Sequence, residues 1–103
     1  MKIQFNTDKN IQGTESLESF VSEKINHAFK HIEDKISRVE VHLSDQNAHK
    51  GGADDIQCKL EARVEGMQPV MVESKSSTKE KALDEATNKM KAALDTIIGK
   101  MRS

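Results

Sequence analysis

The stretch IQCKLEARV, residues 56–64, alternates without a break: Ile56, Cys58, Leu60, Ala62 and Val64 are apolar or small, and Gln57, Lys59, Glu61 and Arg63 are polar. A period of two marks a strand with one dry face and one wet face. Such a strand needs neighbours that alternate in the same sense, and both flanking segments supply them. ISRVEVHLS, residues 36–44, sets Val39, Val41 and Leu43 against Arg38, Glu40 and His42. VMVES follows the turn GMQP and starts at Val70, with Pro69 placed where a missing N–H does least harm. Between the first two strands, DQNAHKGGADD (residues 45–55) is polar, aperiodic and carries a Gly-Gly pair, so it reads as a mobile hairpin loop.

Further out, KIQFNT (residues 2–7) alternates Ile3 and Phe5 against Gln4 and Asn6, predicting another strand. Thr14 then stands as an N-cap before Leu17, Phe20, Val21, Ile25, Ala28, Phe29 and Ile32. Their steps of three and four predict an amphipathic helix of about 17 residues ending near Asp34. At the other end, Ser77 and Glu80 have the spacing of a capping box. The helix it would open carries Leu83, Ala86, Met90, Ala93, Leu94, Ile97 and Met101 on one stripe, with Lys81, Asp84, Glu85, Asn88, Lys91 and Asp95 opposite.

The predicted order is β-α-β-β-β-α. A right-handed crossover joins the first two strands if they pair in parallel, and short connections make the later pairs antiparallel. Four strands with one dry face and two amphipathic helices to cover it give an α+β, two-layer sandwich with a four-stranded mixed sheet and both helices on one face. The wet sheet face, with Arg38, Lys59, Arg63 and Lys75 among Glu40, Glu61 and Glu73, is expected to pair charges across strands. The groove between the helices is the place to look for binding.

With 103 residues the chain suffices for one domain, residues 1–103. Its net charge of −1 excludes coating of nucleic acid by bulk electrostatics, so any such binding is local. Residues 77–103 alone are net positive, with six Lys/Arg against four Asp/Glu. The single cysteine, Cys58, fits a reducing compartment. No signal-peptide pattern and no run of 18 apolar residues occurs, and neither helix has the aromatic anchors and basic face of a membrane binder; a cytoplasmic protein is expected.

Catalytic chemistry finds little to work with. Cys58 falls on the inward side of its strand, and the nearest strand histidine, His42, points the other way. No phosphate loop surrounds Gly51 and Gly52. Glu23, His27 and His31, at i, i+4 and i+8, have a spacing that can place two imidazoles and a carboxylate on one metal. With no Glu between the histidines in an HExxH pattern, a solvated helix face is the reading kept. The chain is therefore expected to be non-enzymatic, with no cofactor, no metal and no small-molecule substrate.

What remains is lysine placement. Lys24 edges the first apolar stripe, with Lys30 toward solvent; Lys89 and Lys100 share one flank of the second helix, and Lys91 and Arg102 lie on or near the other. Such side chains either snorkel over the core or border the groove and hold phosphates. Lys79 and Lys81 stand in the first turn of the last helix, where the dipole favours acids, which points to a partner. Asp84 and Glu85 are expected to pair with Lys89 and Lys81.

NIQGTESLESFVSEKINHAFKHIEDKISRVEVHL, residues 10–43, resembles the N-terminal half of the bacterial ribosome hibernation-promoting factors, also called ribosome-associated inhibitors or sigma-54 modulation proteins. The resemblance rests on Thr14, Glu15 and Leu17, on Phe20, Val21 and Lys24, and on the Val-rich strand that follows; it continues through KLEARVEG into the last helix. It implies a short-form factor without a C-terminal dimerisation domain, monomeric, that binds the small ribosomal subunit and its rRNA near the decoding region under stress. Lys24 and Lys89 match the family's RNA-facing positions best, and Lys30, Lys79, Lys81, Lys91, Lys100 and Arg102 complete the candidate set. The rival expectation is a protein-interaction module of the same fold, using the acid-bearing strand face and loop 45–55.

Overall fold

A computed structural model describes residues 1–46 and 56–102, with the side chains of Met101 and Arg102 excepted. Most of the expected loop, residues 47–55, lies outside the described residues. Strand β1 (Lys2–Thr7) leads to helix α1 (Glu15–Phe29), a 3-10 turn (Lys30–Lys35), β2 (Ile36–Asp45), β3 (Ile56–Val64), β4 (Val70–Ser76) and helix α2 (Lys79–Arg102). The sheet order is β1-β2-β3-β4, with β1 and β2 parallel and the other two pairs antiparallel. This is the predicted mixed sheet with two helices on one face.

Alternation decides which side is covered. Val39, Val41 and Leu43 of β2 and Cys58, Leu60, Ala62 and Val64 of β3 are buried, and the helices close over them with Val21, Ile25 and Phe29 from α1 and Leu83, Ala86, Met90 and Leu94 from α2. Ile36 is buried although it is three residues from Val39. The register slips between Ile36 and Arg38, which face Val64 and Arg63, so a bulge at Ser37 resets the strand's phase. The Ser37 hydroxyl donates to the Arg63 carbonyl at 3.2 Å there.

Three expectations are corrected at the helices. The α-helical part of the first helix stops at Phe29; the chain continues to Lys35 as a 3-10 turn, with Ile32 at φ −131° breaking the α geometry while keeping its side chain in the core. The last helix is capped by Thr78, not Ser77: Thr78 Oγ1 accepts from the Lys81 amide at 3.1 Å, and its carbonyl accepts from Ala82. Because β4 runs through the buried Ser76, the cap falls one residue later, Lys81 occupies the third helical position, and no capping box forms with Glu80. The buried stripe of α2 takes in Thr87 and Ile98, while Ile97 is only half-buried. At α1 the Thr14 hydroxyl accepts from the Leu17 amide at 3.1 Å, as its place before the apolar run predicts.

The open sheet face meets its expectation only between β3 and β4, where Lys59 stands opposite Glu73; between β2 and β3 it differs. Arg38 stands opposite Arg63 and Glu40 opposite Glu61, like charges facing across strands. Relief runs along each strand: Arg38 pairs with Glu40 at 2.8 Å and Arg63 with Glu61 at 3.5 Å. Gln57 reaches across to Glu73 at 3.1 Å.

Candidate nucleic-acid interface

Since β1, β2 and β4 run the same way, α1 and α2 both return in the opposite direction and lie parallel to each other. Two polar pairs bridge them in matching order. Lys24 of α1 is ion-paired with Asp84 of α2, and His31 of the 3-10 turn meets Asp95 at 3.2 Å. Asp84 therefore partners a lysine on the other helix rather than Lys89, and Glu85 accepts from the buried Ser74 hydroxyl at 2.6 Å rather than meeting Lys81.

Between these pairs lies a cleft of about 370 Å³, walled by Phe20, Glu23, Lys24, His27 and Ala28 on one side and Asp84, Thr87, Asn88 and Lys91 on the other. Lys91 enters this cleft with no ion-pair partner among the described residues. Lys24 enters it with its charge already engaged by Asp84. The Thr87 side chain is 2% exposed, and its hydroxyl has no hydrogen-bond partner among the described residues.

The other candidate lysines lie elsewhere. Lys89 leans over the opposite flank of α2 and donates to the Glu73 carbonyl of edge strand β4 at 2.9 Å, so it does not border the interhelical groove. On a helix, 200° separates it from Lys91, which accounts for the split. Lys100, eleven positions after Lys89, falls on that same β4 flank. Lys79 lines a second hollow at the start of α2 with Asn10, Asp45 and Ser77, and Lys81 beside it is exposed. Lys30 is exposed at the far end of α1. The Arg102 side chain lies outside the described ones. The seven candidates with described side chains thus form a cleft pair, an edge pair, a pair at the start of α2 and a single lysine at the end of α1.

The histidine spacing does not assemble a ligand set. Glu23 and His27 share the cleft, but the α-helix ends before His31, which turns to Asp95. Cys58 is fully buried, and burial pushes its thiol up to about 12, away from nucleophilic use. A larger hollow of about 450 Å³ lies against the open sheet face beside Asn6, His42, Lys59 and Met71, and it includes none of the eight candidates.

Two cleft residues escaped the sequence reading. The three-and-four spacing groups Phe20 with the apolar stripe, yet it is 40% exposed. The buried residues Val21, Ile25 and Phe29 repeat every four positions, which places Phe20 about 100° off their line, at the cleft rim. Thr87 lies four residues after Leu83 and three before Met90; a polar residue inside an apolar stripe was the available signal.

Comparison with known proteins gives a consistent picture. The family model described as "Sigma 54 modulation protein / S30EA ribosomal protein" matches residues 5–102. Among solved structures, the chain is similar to a ribosomal subunit interface protein from Coxiella burnetii, with TM-score 0.77 and 16% identity over 96% of this chain and 99% of that one. It is also similar to the N-terminal domain of Thermus thermophilus Protein Y, with TM-score 0.75 and 17% identity over 94% of this chain and 99% of that one. At such identities the likeness is one of fold. No match is found among curated protein sequences.

Proposed function

The chain belongs to the sigma 54 modulation protein / S30EA ribosomal protein family, and from that membership we propose that it is a non-enzymatic, ribosome-associated translation inhibitor of the hibernation type. It lays its helix layer against small-subunit rRNA near the decoding region under stress, where occupancy excludes tRNA and mRNA. The observation that carries this reading is the interhelical cleft, in which Lys91 stands unpaired beside Lys24. Phosphates are held there by a few local charges, because the net charge of −1 supplies no general attraction.

Sucrose-gradient fractions from stationary-phase cells at low salt test it: the protein is expected with the ribosomes, and recovery only in the soluble top fraction refutes the reading. Replacing Lys24, Lys89 and Lys91 together by Glu separates it from the interaction-module alternative. Loss of co-sedimentation favours RNA contact; retained, RNA-independent partner binding favours the module.

A further inference from the structure

A groove that held only phosphates would gain from cations alone, but this one sets carboxylates among them. Glu23 lines the cleft and has no ion-pair partner among the described residues. It stands near an unpaired Lys91, an aromatic ring 40% exposed at Phe20, and the Thr87 hydroxyl, buried in the wall without a hydrogen-bond partner. Asp84 is different, since Lys24 neutralises it. A free acid repels a phosphate but accepts hydrogen bonds from the amino and imino groups of a base, while an exposed aromatic face stacks on the base's ring. The combination of ring, acceptor and cation is that of a nucleotide reader.

We propose that the interhelical cleft receives one unstacked nucleotide of the bound RNA, with its base on Phe20, its Watson–Crick edge toward Glu23 and its phosphate on Lys91. Guanine is the preferred base, because its edge presents two adjacent N–H donors to one carboxylate. At about 370 Å³ the cleft falls at the small end of ligand pockets, about 300–1,000 Å³, which suits a single nucleotide rather than a helix. This inference rests on the reading of the chain as an RNA-binding ribosomal factor and adds to it a base-selective contact.

The test uses the full chain and fluorescently labelled single-stranded uridine hexamers carrying one central G, A, C or U, with affinity read by anisotropy. The G hexamer is expected to bind about tenfold tighter than the all-U one. Glu23→Gln is expected to reduce the ratio of G-hexamer to all-U affinity from about tenfold to less than about twofold. Phe20→Ala weakens all four by about tenfold. Phe20→Trp retains binding and supplies the chain's single tryptophan, whose emission is quenched by stacking; thermal melts of both variants check the fold. Equal affinity for the four hexamers, or unchanged binding by a folded Phe20→Ala protein, overturns the proposal. Pelleting with purified small subunits runs in parallel: pelleting with base-indifferent hexamer binding sinks the nucleotide site alone, whereas a G preference without pelleting upholds the site and sinks the ribosomal reading.

Discussion

Replacing Thr87 by Val should make the free protein more stable. Within α2 the two threonines differ in burial and in bonding: Thr96 is exposed and its Oγ1 donates to the carbonyl of Ala92, four residues back, at 3.0 Å, whereas Thr87 is buried and makes no corresponding bond to Leu83 or to any other described group. Its side chain is 2% exposed, so the hydroxyl has lost water without gaining a partner. A buried, unsatisfied hydroxyl is unfavourable by about 1–3 kcal/mol. Valine keeps the β-branched shape and nearly the same helix propensity, so most of that penalty should return as stability. For a domain of this size each 1 kcal/mol raises Tm by about 4–8 °C, so Thr87→Val should melt at least about 4 °C higher by circular dichroism or calorimetry. Thr96→Val, at an exposed site, should stay within about 0.5 kcal/mol of the parent. A Tm for Thr87→Val that is unchanged or lower would show that the hydroxyl is satisfied in the free protein.

Other perturbations test separate links. Thr78→Ala should lower stability by about 1 kcal/mol in urea unfolding, while Ser77→Ala should change it by less than about 0.5 kcal/mol; equal effects would restore Ser77 as the cap. Asp84→Asn releases Lys24 into the cleft, so small-subunit affinity at low salt should rise and the slope of log K against log salt should steepen by up to about 0.7–0.9; a weaker complex would show that Asp84 itself contacts the partner. For Cys58, burial lifts the thiol from its ordinary 9.0 to about 12, so above pH 9 the unfolded chain loses a proton that the folded chain keeps. Stability should fall as pH rises from about 9 toward 12, and the fall should be shallower in Cys58→Ala; identical pH slopes would contradict the burial argument. The same thiol should resist labelling at pH 8 until urea unfolds the chain.

The sheet was legible because its signal is local: nine alternating residues in β3 specify a dry face, and neighbours in the same phase follow from it. Thr14 was legible for the same reason, a cap being a contact three residues long. Features that depend on how elements meet were not. The bulge at Ser37 reveals itself only when β2 is laid against β3, and the Thr78 cap depends on where β4 ends. Lys24–Asp84 and His31–Asp95 join residues 60 or more positions apart, so spacing along one helix points Asp84 to Lys89, a neighbour it does not pair with, and gives no partner for Asp95. Lys89 and Lys91 are two residues apart in sequence, and their separation onto different flanks of α2 was visible in the helical period; which flank faces α1 was not.

The proposed function places the helix layer in the tRNA and mRNA path on the small subunit. It is tested most directly by loading purified small subunits with the protein and titrating in mRNA and tRNA, both bound species being read in the same pelleted complex. Mutual exclusion is predicted, each ligand displacing the other in proportion to its concentration, with Lys91→Glu displaced at lower tRNA. Simultaneous, independent binding of the protein and tRNA to one subunit would contradict the account.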